Sequence, residues 1–304
     1  MIAPVTQRTF YFVGVTTGQS SIMRIFPRWM DILHIECAIA GIDAPLNAPS
    51  ETYREIAAHI KSDPLVVGGL VTAHKISLLN AAHDLFDELD EMAMLAGEVS
   101  GIAKHDGRLL GFARDPISSR LALDAFVPAD HFAQTQSDVL CFGSGGAAVA
   151  IGIALAHGHD HPRRMILTDI DSNRLDHARA IHEKLNTGID FEYILNGDPA
   201  INAALMRDLP PGSLVINGTG MGKDLPGSPI PDGALFPERG LAWELNYRGE
   251  LTFLKQARSQ ADRLLAVEDG WTYFVHGWTQ VVAGVFDVQL TPDLFQRMDA
   301  AAKR

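Results

Sequence analysis

Val139-Leu-Cys-Phe-Gly143-Ser144-Gly145-Gly146-Ala147-Ala148 decides the fold of this 304-residue chain. Four apolar residues of strand character run into a G-x-G-x-x-A turn, and the small residues Ala147–Ala156 continue as a helix. Gly143 permits the tight turn out of the strand. Gly145 lets the backbone approach a pyrophosphate, and Ala148 lets the helix pack close to the sheet. The helix start adds unsatisfied N–H donors and a positive partial charge, and both favour an anion. A glycine triplet alone is weak evidence; the strand before it and the helix after it supply the required context.

A second strand, Met165–Asp169, ends in an acid at the distance a dinucleotide site needs. A carboxylate there accepts hydrogen bonds from the adenosine ribose hydroxyls and repels a 2′-phosphate. Ile170 and Asp171 follow, and neither receives a phosphate, so NAD(H) is the expected cofactor. The plainer reading is a βα turn that binds nothing, with Asp171 capping the next helix; Asp171 suits that cap in either case. A helix over Asn173–Leu185 and strands at Phe191–Leu195, Leu214–Asn217 and Leu241–Leu245 extend the alternation. This pattern predicts βαβ units and a doubly wound parallel sheet covered on both faces. Asn217, Thr219 and Met221 follow a strand end, where ligand contacts gather in such sheets. They join Gly143, Ser144, Gly145, Gly146, Ala147 and Asp169 as the expected cofactor set.

Upstream, the pattern predicts an α/β domain. Phe10–Val15 reads as a strand, Ser21–Ala40 as one long helix, Leu65–Val71 as a buried strand and Lys75–Leu95 as helical. Glu98–Lys104 and Arg108–Ala113 read as strands joined through Asp106-Gly107, a strong hairpin signal. Helices over Trp271–Phe286 and Pro292–Ala302 close the chain.

Composition narrows the function. With 25 Lys+Arg against 37 Asp+Glu, the formal charge is −12, which argues against nucleic acid and anionic membranes as partners. The start MIAPVTQRTF lacks the features of a secretory signal, and no apolar run is long enough to span a bilayer. Cys37 and Cys141 lie far apart and read as reduced thiols, so a cytoplasmic location is expected. His157, His159 and His161 sit in a loop after a helix, away from the expected cleft, and no metal is expected there.

Several segments then line up in order: Thr72-Ala-His-Lys75, Gly107-Arg-Leu-Leu-Gly-Phe-Ala-Arg-Asp115, Gly143 to Ala148, Val215-Ile-Asn-Gly-Thr219, Glu244-Leu-Asn-Tyr247 and Glu268-Asp-Gly270. Together they make the chain resemble the shikimate/quinate dehydrogenase family along nearly its whole length. The resemblance implies a substrate-binding catalytic domain over 1–118 and a Rossmann-type nucleotide domain over 119–269. Helices over 270–304 would return to the first domain. It assigns the catalytic pair to Lys75 and Asp115. It also points to a small-molecule substrate held by Ser20, Ser21, Thr72, Ser100, Tyr247 and Gln280, in a monomer or homodimer.

The departures carry information too. Ile22 stands where the family has a second serine, and Leu70 stands in the family's Asn-Val-Thr, which here is one residue shorter before Lys75. Gly97-Glu-Val-Ser100 replaces Gly-Ala-Val-Asn, and Gly277 replaces a substrate-contacting Gln; Gln280 lies one helical turn further on. A site built for particular hydroxyls discriminates strongly when those partners change, so the expected substrate is a hydroxylated acid other than shikimate. Arg24 is open to two readings, a carboxylate clamp or a solvated helix residue; Tyr247 is either a ligand neighbour or a packing aromatic. Lys75 acts as proton acceptor or only positions the substrate. An NAD-recycling lyase or isomerase and a noncatalytic metabolite-binding protein are the competing functions.

Overall fold

The computed structural model describes residues 2–223 and 225–303. They form two compact units, Met1–Arg114 with Gly277–Arg304, and Asp115–His276. The divisions fall between Arg114 and Asp115 and inside the helix Trp271–Phe286.

In chain order the first unit contains β1 (Thr9–Gly14), α1 (Ile22–Leu33), β2 (Ala38–Asp43), α2 (Ser50–Ser62) and β3 (Val66–Val71). It continues with α3 (Lys75–Ala82), β4 (Glu88–Leu89), α4 (Glu91–Ala96), β5 (Gly101–His105) and β6 (Arg108–Phe112). Its sheet has the order β2-β1-β3-β5-β6-β4; β1, β2 and β3 are parallel, whereas β5 runs antiparallel to both neighbours. One face carries a core of Tyr11, Val13, Ile56, Ile60 and Leu78. The other is aromatic: Phe10 lies 5.0 Å from Phe26 and 6.2 Å from Phe286, and Phe12 meets Trp278 edge-on at 4.9 Å. The indole of Trp29 on α1 donates to the carbonyl of Met298, 2.8 Å away.

Three expectations need correction here. The helix expected over Ser21–Ala40 stops at Leu33, because His34 takes a left-handed conformation (φ 55°), and Ala38–Asp43 becomes a strand beside β1. Small apolar residues at helical spacing had hidden that strand. The Lys75–Leu95 helix is divided by a 3-10 turn at His83–Leu85 and by β4; α4 restarts where Asp90 accepts from the N–H of Ala93 (2.7 Å). Ser50–Ser62, given no element from the sequence, is an amphipathic helix that buries Tyr53, Ile56, Ala57 and Ile60. The β5–β6 hairpin turns at Asp106 and Gly107, both with positive φ (50° and 76°), as a type I′ turn requires.

The second unit runs through α5 (Asp115–Asp124), α6 (His131–Thr135), β7 (Val139–Phe142), α7 (Gly146–Ala156), β8 (Arg164–Asp169) and α8 (Ser172–His182). Then follow β9 (Asp190–Leu195), α9 (Pro199–Arg207), β10 (Leu214–Asn217), β11 (Leu241–Glu244), α10 (Thr252–Arg258) and β12 (Ala266–Glu268). The last two helices of the chain are α11 (Trp271–Phe286), which crosses the division, and α12 (Pro292–Ala302), which belongs to the first unit. The six strands of the second unit are all parallel in the order β12-β11-β10-β7-β8-β9, the doubly wound Rossmann arrangement. Strand order reverses between β7 and β10, and ligands bind in the crevice outside the strand ends at such a point. Among the described residues no helix is long and apolar enough to cross a membrane.

Candidate functional site

The β7–α7 turn opens at that crevice. Gly143 has φ +91°, and a Cβ there would lie 2.8 Å from the carbonyl oxygen of Gly218, so only glycine fits. A Cβ on Gly145 would meet nothing within 4 Å: the backbone faces open space that a ligand can approach closely. Gly145 caps α7 without a side-chain hydrogen bond, so the first N–H groups of this 11-residue helix have no side-chain acceptor at their cap. A pyrophosphate is suited to such an end. Thr168, Asp169, Ile170, Asn196, Gly218 and Thr219 line the same cleft, with Met221 and Arg174 also on its wall.

Asp169 ends β8 and is 6% exposed. Its Oδ2 accepts from the N–H (2.8 Å) and hydroxyl (3.0 Å) of Ser144, and its Oδ1 from the N–H of Asp171 (3.0 Å). Ser144, 1% exposed, therefore braces the acid under the turn. Each carboxylate oxygen offers two lone pairs, so capacity for a ribose hydroxyl remains. Asp171 caps α8 by accepting from Asn173 N–H at 2.9 Å. Ile170 between them is 78% exposed, and the side chain of Arg174, 62% exposed, stands 3.9 Å from Asp171.

Across the crevice a buried carboxylate organises the loop after β10. Glu244 is fully buried; Asn217 Nδ2 donates to its Oε2 (2.7 Å), and Asn246 donates to its Oε1 through N–H (2.9 Å) and Nδ2 (2.7 Å). Asn217 Oδ1 accepts from Thr219 N–H and Oγ1, and the carbonyl of Met221 accepts from both asparagines. Asn217 is thus a strut that shapes the Thr219–Met221 loop. Burial pushes the Glu244 carboxyl up to about 7, with hydrogen bonds from Asn246 and Asn217 opposing the rise and Asp269 adding to it. Sequence reading assigned Glu244 no role, although a carboxylate closing the apolar run Leu241-Ala-Trp was its available signal.

In the first unit, Lys75 opens α3 directly after β3, with its side chain 18% exposed. Its Nζ lies 4.0 Å from Oε1 of Glu98, a residue that sequence reading noted only as a departure. Burial pushes the lysine below its ordinary value, and the Glu98 carboxylate opposes that shift. Thr72, three residues earlier, donates to the carbonyl of Val13 at 3.2 Å. Ser100 is 1% exposed and accepts from the N–H of Arg114 at 2.8 Å. Ser20 and Ser21 are partly buried at the start of α1, after a turn pinned by Thr17, whose N–H (2.8 Å) and hydroxyl (2.6 Å) both donate to Asp43. Ile22 is fully buried as a core residue, and Arg24 is exposed. Gln280 sits on α11 one turn past Gly277, where a Cβ would meet nothing within 4 Å.

Asp115, 8% exposed, opens α5 in the second unit, so the expected pair belongs to different units. Tyr247 packs against Phe274 (4.3 Å) and Trp271 (5.9 Å). In the histidine loop Asp160 accepts from the N–H groups of Phe132 and Ala133 at the start of α6. Among the described residues no group of three or more His, Cys, Asp or Glu is placed to hold a metal.

No family model matches the chain. It is 30% identical over 176 residues to a shikimate dehydrogenase (NADP(+)) of Streptococcus gordonii, a match spanning 57% of this chain and 58% of that enzyme. A solved shikimate dehydrogenase in complex with NADP+ superposes with TM-score 0.74 at 20% identity, covering 98% of this chain and 95% of the other. The 5-ketofructose reductase of Gluconobacter sp. strain CHM43 gives 0.68 at 18% identity, with 98% of each chain covered.

Proposed function

We propose that this chain, shikimate dehydrogenase-like in sequence and fold, is an NAD(H)-dependent oxidoreductase acting on a secondary alcohol of a small polyhydroxylated or cyclic hydroxy acid other than shikimate. The observation that carries this reading is the open Gly145 backbone at the α7 N-terminus, with Asp169 braced beside it at the end of the next strand. In this reading residues 119–269 hold the cofactor, 1–118 with 270–304 hold the substrate, and the protein works in the cytoplasm. When bound, the nicotinamide accepts or returns the hydride, which leaves position and proton transfer to the protein. Lys75 takes the hydroxyl proton in oxidation or gives one to the ketone in reduction, and Asp115 completes the pair. Burial favours the neutral amine, the proton-accepting form of Lys75.

NAD(H) is favoured over NADP(H) because Asp169 ends β8 in the cleft, where its carboxylate would meet the ribose hydroxyls and repel a 2′-phosphate, and an exposed apolar residue, Ile170, follows it. The opposite preference has support in Arg174 on the cleft wall and in the NADP(+) named for the streptococcal relative. A substrate other than shikimate is supported by Ile22, which is sealed in the core, and by the empty space beside Gly277.

The test is a dehydrogenase screen with both cofactors across shikimate, quinate, inositols and sugar acids, read at the reduced nicotinamide absorbance. NAD should exceed NADP in kcat/KM by about tenfold or more, equivalent to about 1.4 kcal/mol; the reverse order assigns Arg174 to a 2′-phosphate. Product without net NADH points to a lyase or isomerase, and cofactor binding without turnover to a metabolite-binding protein. Lys75→Ala should lower kcat by about 10²-fold or more. Unchanged turnover in that variant removes Lys75 from the chemistry.

A further inference from the structure

Glu98 stands beside Lys75 and has no part in the proposed chemistry. It lies between α4 and β5, 3% exposed, and its Oε1 is buried with no hydrogen-bond partner. A carboxylate taken out of water costs free energy unless a cation compensates it. Lys75 Nζ at 4.0 Å is close enough for an ion pair and too far for a direct hydrogen bond.

The backbone holds this arrangement firmly. The N–H of Glu98 donates to Ala93 O (3.3 Å), and the N–H of Val99 donates to the carbonyl of Lys75 itself (3.4 Å). Ser100 continues the tie, donating to Phe112 O (3.1 Å) and accepting from Val71 N–H (2.9 Å). Oε1 is inaccessible, so no ligand reaches this oxygen, while the lysine side chain beside it keeps 18% of its surface. The charged group nearest to this oxygen is the Lys75 amine.

We propose that Glu98 is a positioning residue for Lys75: its buried carboxylate fixes the direction of Nζ and retains part of the ammonium form, so that the lysine donates a proton to a carbonyl as well as accepting one from an alcohol. This role rests on Lys75 being the proton-handling group of the proposed function. Two other titratable groups stand at this end of α3. His74 faces Tyr53 Oη (3.2 Å) through Nδ1 and the Ala44 carbonyl (3.0 Å) through Nε2, so both ring nitrogens are engaged. The α3 N-terminus adds a positive partial charge that works against the ammonium, which Glu98 offsets.

The test needs no substrate. Trace acetic anhydride labels the full-length protein across a pH series, and mass spectrometry follows the Lys75 peptide against exposed Lys184. An opposite charge at this range moves a pKa by about 1–3 units. In Glu98→Gln the Lys75 midpoint should therefore fall by about one pH unit or more. Glu98→Asp, which keeps the charge, should recover at least half of that fall. Where Glu98→Gln does not fold, Glu98→Ala replaces it, with the residue the resembling family carries at that position. A midpoint within about 0.3 unit of wild type in the carboxylate-free variant overturns the proposal; so does an Asp variant that falls as far as Gln. Asp115→Asn, run in parallel, separates the charge assigned to the same lysine from the other unit. A wild-type protein that turns over none of the candidate alcohols, yet shows the Glu98-dependent midpoint, refutes the proposed function and leaves this tie standing.

Discussion

Glu244→Gln should remove a pH dependence of stability that the wild-type protein carries. The carboxyl is fully buried and raised from its ordinary 4.5 to about 7, chiefly by burial. A carboxyl whose value is higher in the folded than in the unfolded chain stabilises the fold below the unfolded value. That contribution is lost as pH rises from about 4.5 through about 7. At about 1.4 kcal/mol per pH unit the difference amounts to about 3 kcal/mol. Glutamine keeps the shape but not the charge. It can satisfy both Asn246 donors through one oxygen, and its amino group then faces Asn217 Nδ2, a mismatch of about 1–3 kcal/mol at every pH. Urea unfolding at pH 5 and pH 8 separates the two effects, since other titrating groups cancel between the proteins. Wild type should lose about 2.5 kcal/mol more than the variant between the two pH values, since part of the swing is already lost at pH 5. Equal losses, within about 0.5 kcal/mol, would show that Glu244 is ionised throughout and that burial does not govern it.

Gly143→Ala forces an L-residue to φ +91° and drives its Cβ against the Gly218 carbonyl; it should cost about 1–3 kcal/mol and abolish NADH fluorescence enhancement. Ile170→Arg places a guanidinium beside the ribose position and should raise the NADP-to-NAD ratio of kcat/KM about tenfold or more; an unchanged ratio excludes this position from the cofactor site. His182 is held by burial at about 4, below its ordinary 6.5, so its contribution is present above pH 6.5 and lost as pH falls through 4. Thermal unfolding of His182→Phe should lack the acid-side loss of about 3 kcal/mol that this histidine gives wild type.

The unit with the all-parallel sheet was the more legible half. Val139–Phe142 and Leu214–Asn217 there, like Trp271–Phe286 and Pro292–Ala302 at the end of the chain, fold with the boundaries their patterns indicate, because each is an apolar run or amphipathic repeat bounded by polar or turn residues. The first unit was harder to read. Its β2 is a half-buried run of small residues, and helical spacing continues into it from α1, so the left-handed turn at His34 had no distinct sequence signal. The site shows the same division. Gly143, Gly145 and Asp169 act through backbone shape and strand position, which a motif encodes locally. Glu98 and Glu244 act through burial against residues distant in sequence, which no local pattern encodes.

The aromatic face of the first unit has a consequence for the order of synthesis. Phe10, Phe12 and Trp29 are covered by Trp278, Phe286 and Met298, which the ribosome adds about 270 residues later. Until then the early segment has an uncovered apolar surface, while Asp115–His276 is already complete and can fold around its own sheet. The nascent chain therefore matures from the middle outward. A stalled or C-terminally truncated product would retain a folded Asp115–His276 unit attached to a sticky, unfinished partner, the kind of species that chaperones and proteases intercept.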